Sequence, residues 1–275
     1  MTGIKQITQT QISAFERCRR FYYLKNIRKL VWPVEVSTNR HTLQGDDFHL
    51  LVRQLILGLD AGDLIIPEDS EDVKRWLAVY LAEQPIGKPQ QIFAEKEVST
   101  VFEDVFWMGK FDALTINEDK LTIYDWKTGS ARPDPERYRT APQTRLYRFL
   151  AKCCAARLLG AGLHAVPAEN IEMVYWFPEH PEKTIRLPYS EETYQKDQTW
   201  LKTLAAEMSF SDQDAYPQTS KTRHCEYCSY RTYCFPGTFL PDIFPEEEPD
   251  PDGIFQGELF SDEAFSETDR EEIIF

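Results

Sequence analysis

Two short runs near the middle of the chain carry the groups best suited to chemistry: Gly109-Lys-Phe-Asp112 and Asp125-Trp-Lys127-Thr-Gly129. Side chains two apart on a strand share a face, so Asp125 and Lys127 are expected to point the same way. If Asn117-Glu-Asp-Lys120 closes an even hairpin, Asp112 falls opposite Asp125. Opposed side chains on an antiparallel pair lie ~4.5–5.5 Å apart at Cβ. Two ionised carboxylates that close repel unless a cation lies between them or one is protonated. A hard divalent cation with oxygen ligands, Mg²⁺ or Mn²⁺, suits the place. Lys127, protonated, cannot ligate it, but can stabilise charge developing on a phosphate or orient a water. The bland alternative is a pair of strand-end acids neutralised by Lys127 or Lys110. Asp-x-Lys following an acid in the preceding strand favours a site.

A second group is Cys225-Glu-Tyr-Cys228, five residues, then Cys234. Thiolates so spaced can converge on one metal centre, but three are one short of a tetrahedral set. Cys18 is the candidate fourth. Cys153 and Cys154 are adjacent on an expected helix, Cys154 on its apolar side with Leu146, Leu150 and Leu158; that pair reads as buried small hydrophobes. On ligand pattern alone, a structural Zn²⁺ and an iron–sulfur cluster both suit four cysteines.

The elements that would position these groups follow from periodicity. Ser13 and Glu16 have capping-box spacing and open an expected helix over 13–30, ended by Pro33. Phe48, Leu51, Val52 and Leu55 mark a helix over 45–59, and Val73, Trp76, Leu77, Tyr80 and Leu81 one over 71–83. Three β-branched and aromatic runs follow, 91–101, 105–116 and 121–126. Pro133 and Pro135 mark a loop, Gln143 to Leu159 a helix, 171–177 and 184–189 strands, and 191–208 a further helix. No internal repeat is present. An α/β fold is expected, a mixed central sheet flanked by helices.

The net charge of −14 is unevenly spread. Residues 241–275 hold 13 acids and one base, leaving −2 on the other 240 residues. Residues 16–40 carry seven bases and two acids, and 131–148 five arginines against Asp134 and Glu136. Basic patches on a nearly neutral body suit a phosphate backbone. The composition, 42% hydrophobic and 28% charged, is that of a globular chain. No apolar run is long enough to span a membrane, and the first residues lack an apolar signal core. Cytoplasmic location is expected, and six uneven cysteines do not make a secreted disulfide scaffold.

Gly-x-x-Asp, then Asp-x-Lys-Thr-Gly, then Gln143-Thr-Arg-Leu-Tyr147 resembles the RecB-like branch of the PD-(D/E)XK nuclease superfamily. The resemblance implies a restriction-endonuclease-like core and a metal-dependent deoxyribonuclease. Exonuclease action on single strands or DNA ends is expected, in repair, recombination or CRISPR adaptation. It assigns Mg²⁺ or Mn²⁺ to Asp112, Asp125, the Trp126 carbonyl and His49. Lys127 would stabilise the transition state, and Gln143 and Tyr147 would contact DNA or support the site. Spacing at i, i+4 stacks Gln143 and Tyr147 on one helix face. Phe111 stands where the superfamily has proline, and Asp125 where glutamate is frequent. Glu95 and Glu97 precede Asp112 by one strand; either could orient a ligand, and the sequence does not choose.

Ser13-Ala-Phe-Glu-Arg-Cys18-Arg-Arg-Phe-Tyr-Tyr is similar to the early cysteine motif of family members carrying an iron–sulfur staple, with Arg19 in place of the usual proline. In them one early and three late cysteines hold a [4Fe–4S] cluster. The resemblance assigns it to Cys18, Cys225, Cys228 and Cys234, joining the N- and C-terminal segments in a subdomain. Such a clip closes a loop of over 200 residues, which stabilises in principle, and sets basic segments side by side as a DNA-facing patch. The expected organisation is a nuclease domain over 1–240 and an acidic, disordered tail over 241–275. The alternative is a non-catalytic DNA-end binding or assembly module on the same scaffold, against which the intact Asp112, Asp125 and Lys127 speak. In the tail, Gln256, Leu259 and Phe260 resemble the short peptide by which bacterial proteins dock on the sliding clamp.

Overall fold

The computed structural model describes residues 5–31, 40–68, 70–130, 132–160, 166–210, 212–225 and 228–236. The 241–275 tail, with its clamp-like peptide, lies outside them. Among the described residues, six strands form one mixed sheet: β1 Lys5–Ile7, β2 Gln91–Phe102, β3 Val105–Asn117, β4 Lys120–Trp126, β5 Ile171–Trp176 and β6 Ile185–Pro188. No described helix is long and apolar enough to cross a membrane.

Strand β3 organises the sheet. β2 runs antiparallel along one edge, from Phe102↔Val105 to Gln91↔Ile116. Its other edge is shared: β1 pairs in parallel at Val105–Trp107, and β4 pairs antiparallel from Ala113 onward. Residues 108–112 are left between these two ladders. β4 then pairs in parallel with β5, and β5 antiparallel with β6. The β3–β4 hairpin closes through Asn117↔Lys120 with Glu118 and Asp119 in the turn, Glu118 at φ 55°. This is the even closure expected from the sequence.

Two cores cover the two faces. On one, α1 (Gln9–Arg17), α6 (Pro142–Leu158) and α7 (Glu191–Glu207) contribute Phe15, Leu146, Phe149 and Leu201 against Phe111, Leu114, Ile123 and Tyr175. On the other, α3 (Arg40–Ile56) and α4 (Glu71–Glu83) set Phe48, Trp76 and Tyr80 against Tyr124, Trp126 and Trp176. Burial of each such side chain stabilises by ~1.5–3 kcal/mol, which fastens α3 to the sheet and fixes what α3 carries.

Two local expectations are corrected. The helix expected over 13–30 starts earlier, where the Gln11 side chain accepts from Thr8 N at 2.9 Å. It breaks at Cys18, whose φ −163°, ψ 117° is extended, and resumes as α2 (Arg19–Tyr22) and a π turn, Tyr23–Ile27. The 133–135 loop is cut short: Pro135 opens α5 (Pro135–Thr140), because a helix's first turn needs no N–H from proline and Asp134 caps it. α8 (Arg231–Cys234) is one short turn within the cysteine segment.

Candidate metal and nucleophile-activating site

The site forms where β2 and β3 change face. Phe93 and Val98, an odd number of residues apart, both pack on the α6 side. So do Phe111 and Leu114. Strict alternation forbids both pairs, so each strand turns over once in between. On β2 the turn is Glu95, at φ 50°, a left-handed conformation that costs a non-glycine residue about 1–2 kcal/mol. On β3 it falls at Asp112. These two lie opposite one another, between the paired Ala94↔Ala113 and Lys96↔Phe111, without being paired themselves.

The reversal sends Asp112 toward α3. Its Oδ2 accepts from Trp126 N at 2.7 Å, and its Oδ1 lies 3.3 Å from His49 Nδ1. His49 Nε2 faces the Trp126 carbonyl at 3.1 Å. Both ring nitrogens therefore meet acceptors, which suits the imidazolium. Burial opposes that charge, but the Asp112 carboxylate outweighs it and holds the His49 pKa up to about 9. Burial likewise works against the Asp112 anion, and His49 and the Trp126 N–H overcome it, lowering its pKa. α3 can approach this closely because position 45 is glycine: a Cβ there would stand 3.0 Å from Thr128 Oγ1. Among the described residues, His49, Glu95 and Asp112 form a set whose ligand atoms all lie within 4.8 Å of one another. An imidazole and two carboxylates are a donor set for a divalent cation. Glu95 is the residue the sequence left undecided against Glu97.

Asp125 keeps the other orientation, on the face of Leu121 and Ile123, toward α6. Lys127 Nζ lies 2.6 Å from its Oδ1, an ion pair, and Gln143 Nε2 donates to its Oδ2 at 2.5 Å. Lys127 Nζ also donates to Gln143 Oε1 at 3.1 Å, so one amide holds both charged groups. Burial pushes the Asp125 pKa up to about 6, Lys127 opposing and Asp112 reinforcing the shift. Lys127 stays protonated: burial opposes its charge, and the Asp125 carboxylate more than offsets that, raising its pKa. The two carboxylates are thus pushed apart in acidity. Tyr147 is buried; its ring lies 5.0 Å from that of Phe111 and against the backbone of Gly109. A Cβ on Gly109 would come within 2.7 Å of that ring. The structure therefore gathers Asp112, His49, the Trp126 carbonyl, Asp125, Lys127 and Gln143 in one place. It sets Tyr147 beneath them, away from solvent.

The four cysteines also meet. Cys18, at the break between α1 and α2, lines one cavity with Cys225, Cys228 and Cys234, beside Arg17, His224 and Arg231. None is in a disulfide. Burial raises the pKa of Cys225 and Cys234 and pushes that of Cys228 up to about 11, so without a ligand these thiols are neutral. The two chain segments are fastened independently of any ligand. His224 Nδ1 donates to the Arg17 carbonyl at 3.1 Å, Arg20 N to Pro217 O at 3.2 Å, and Tyr230 Oη to Leu30 O at 2.6 Å. Cys153 and Cys154 stand elsewhere, Cys154 buried with its Sγ donating to Ser99 O at 3.4 Å.

The model of the PD-(D/E)XK nuclease superfamily matches residues 6–235. Among solved structures, a Eubacterium rectale protein provisionally named an exonuclease is 7% identical. The match covers 79% of this chain and 85% of that one, with a TM-score of 0.52. That likeness concerns the fold. SSO0001, 12% identical over 87% of this chain and 90% of its own, superposes at a TM-score of 0.37. None of the curated proteins gives a significant match.

Proposed function

The chain belongs to the PD-(D/E)XK nuclease superfamily, and from that premise we propose that it is a divalent-metal-dependent deoxyribonuclease acting on single strands or DNA ends. The observation that carries the reading is the convergence of His49, Glu95 and Asp112 within 4.8 Å, beside a buried Asp125–Lys127–Gln143 group. Mg²⁺ or Mn²⁺ would be held by His49 and Asp112, with Asp125, Glu95 and the Trp126 carbonyl as the further oxygen donors. When bound, the ion neutralises charge on the scissile phosphate and acidifies a water.

The chain's own groups do the rest. Lys127, kept charged by Asp125, faces the reacting phosphate and stabilises the negative charge that develops on its oxygens. Asp125, of raised pKa, stands where it can orient the attacking water. Gln143 fixes the spacing of Asp125 and Lys127, and Tyr147, wedged on Gly109, supports β3 from below. The basic residues of 17–29, with Arg132 and Arg139, supply phosphate contacts along the strand, whereas Arg145 and Arg148 of the expected basic run are turned to Asp197, Arg148 buried.

The cysteine cavity supports the second part of the reading, a [4Fe–4S] cluster on Cys18, Cys225, Cys228 and Cys234, as in the RecB-like branch. Four thiolates on one Zn²⁺ at ~2.3 Å would stand about 3.8 Å apart. The preference for the cluster over a lone Zn²⁺ comes from the likeness to that branch, since four cysteines suit either. The Gln256, Leu259 and Phe260 peptide would tether the enzyme to the sliding clamp; a synthetic 250–265 peptide should bind the clamp, and Leu259→Ala/Phe260→Ala should not. The central test is a Mn²⁺-dependent cleavage assay on end-labelled single- and double-stranded DNA, run on protein purified anaerobically and on its Lys127→Ala variant. Cleavage that is lost without divalent metal and in Lys127→Ala supports the reading. Binding of DNA ends without cleavage would make the protein an assembly module instead.

A further inference from the structure

Lys127 follows the last residue of β4, and β5 holds it twice. Its backbone N–H donates to the Trp176 carbonyl at 3.0 Å. Its ammonium stands over the ring of Tyr175, 5.6 Å from the centroid. Tyr175 is also the register partner of Asp125 on the parallel β4–β5 ladder, so one residue lies beside both halves of the Asp125–Lys127 ion pair. The Tyr175 ring is fully buried and fixed at its far end. Thr144 Oγ1 donates its one proton to the Tyr138 carbonyl at 2.5 Å, so the Tyr175 hydroxyl, 2.8 Å away, is the donor to that oxygen. The Tyr138 ring packs on it at a centroid distance of 4.4 Å. Thr144 directly follows Gln143 on α6. The first turn of α6 thus carries both the amide that grips Lys127 and the hydroxyl that pins the ring beneath it.

We infer that Tyr175 is a positioning residue for Lys127: its ring face holds the ammonium in place while leaving N–H donors for the reacting phosphate. The inference rests on the nuclease reading and adds to it a buried residue that acts through Lys127. The choice of an aromatic group has a physical reason. A π face attracts a cation through its quadrupole, and the attraction grows when the pair is desolvated. An oxygen in the same place would accept one of the three ammonium protons, in competition with a substrate oxygen. The ion pair with Asp125 and the bond to Gln143 hold Lys127 from its other sides, so the ring completes its seat without adding a rival acceptor.

The test alters the electrons of the ring and keeps its shape. Phenylalanine carrying no, one, two or three fluorines, introduced at position 175 of the full-length chain, preserves the packing while weakening the negative face stepwise. In Mn²⁺-dependent cleavage of end-labelled single-stranded DNA, Tyr175→Phe should keep kcat within about threefold of wild type. Across the fluorinated series kcat should fall by about tenfold, with KM for DNA unchanged. A ring that served packing alone would give a flat series. Tyr175→Leu, which removes the face, should lower kcat by about tenfold or more, and should add nothing to the loss in a Lys127→Ala background. Should Tyr175→Leu fail to fold by circular dichroism, the fluorinated series decides. A flat kcat across the series, a loss already complete in Tyr175→Phe, or a further loss from Tyr175→Leu in Lys127→Ala overturns the inference. A wild-type protein that does not cleave DNA with Mn²⁺ would overturn the nuclease reading itself, a result distinct from these.

Discussion

The carboxylate site and the cysteine cavity are both assembled from residues far apart in the chain, yet they are built on different principles. The first stands on long strands and on a helix clamped by a buried aromatic core, and its charged groups already satisfy one another. His49 has Asp112 and a carbonyl; Asp125 has Lys127 and Gln143. The second is borne by a helix break, a 3-10 turn and one turn of α8, and burial raises the pKa of its three later thiols, Cys225, Cys228 and Cys234. The contrast teaches that one site is prepared for its ion by compensating charge, while the other is prepared by enclosure alone. Removing a residue from the first should therefore cost function and little structure. Removing one from the second should cost structure first.

Four experiments test that contrast. Lys127→Ala should reduce cleavage by ~10²-fold or more, as expected for loss of charge stabilisation in the transition state, and leave the protein folded with any iron content unchanged, although the unpaired buried Asp125 lowers its melting temperature. Unchanged cleavage in a folded variant would remove Lys127 from the site. Cys228→Ser should lose the brown colour and melt several degrees lower, yet still bind Mn²⁺, because the carboxylates do not touch the cavity. Cys153→Ser and Cys154→Ser should keep the colour; iron loss in either would change the ligand set, and stoichiometric zinc would change the metal.

Gly109→Ala tests whether the first site has any structural weak point. Its new Cβ would meet the Tyr147 ring at 2.7 Å, overpacking that should lower stability by ~1–3 kcal/mol. A denaturant midpoint equal to wild type would show that the ring can give way. The smallest effect is graded with pH. In the metal-free protein His49 titrates near 9, above its usual value, so its ion pair with Asp112 contributes stability below about 6.5 that is lost as the pH rises through 9. Metal must expel that proton. Mn²⁺ affinity should therefore rise about tenfold per pH unit between 6.5 and 9, and level off above. A flat profile in calorimetric titrations would mean that His49 is no ligand.

Much of this was legible in the residues themselves. The β3–β4 register followed from a short turn between two alternating runs, and α4, α6 and α7 fall within a residue of the expected ends, whereas α3 opens at Arg40, five residues before the expected 45, and stops at Ile56. Gln143 and Tyr147 were legible as a pair sharing a helix face, but not as a polar clamp above and a buried wedge below. That division depends on which strand residue each meets. Glu95 could not be separated from Glu97, because period-two alternation puts both on one face and gives no warning of a left-handed residue between Ala94 and Lys96. The same rule predicted that Asp112 and Asp125 would face each other squarely. The double reversal at Glu95 and Asp112 turned one toward α3 and left the other toward α6. Cys18 interrupts a helix that propensity alone would continue, and the three-residue β1 is too short to carry a periodic signal.

The fastening of the two chain ends bears on how the protein is made. Phe15, Tyr22 and Tyr23 pack around Tyr216, and Leu30 accepts its hydrogen bond from a residue 200 positions later. At a synthesis rate of ~5–20 residues per second, the N-terminal segment waits roughly 10–40 s on the ribosome before its partner emerges. Through that interval Tyr216 and Tyr230 are not there to cover these rings, and Cys18 has none of its three companions. The nascent segment thus stays adhesive until its later partner is made. Whatever shields those exposed aromatic side chains until residue 230 is made would govern the yield of folded protein.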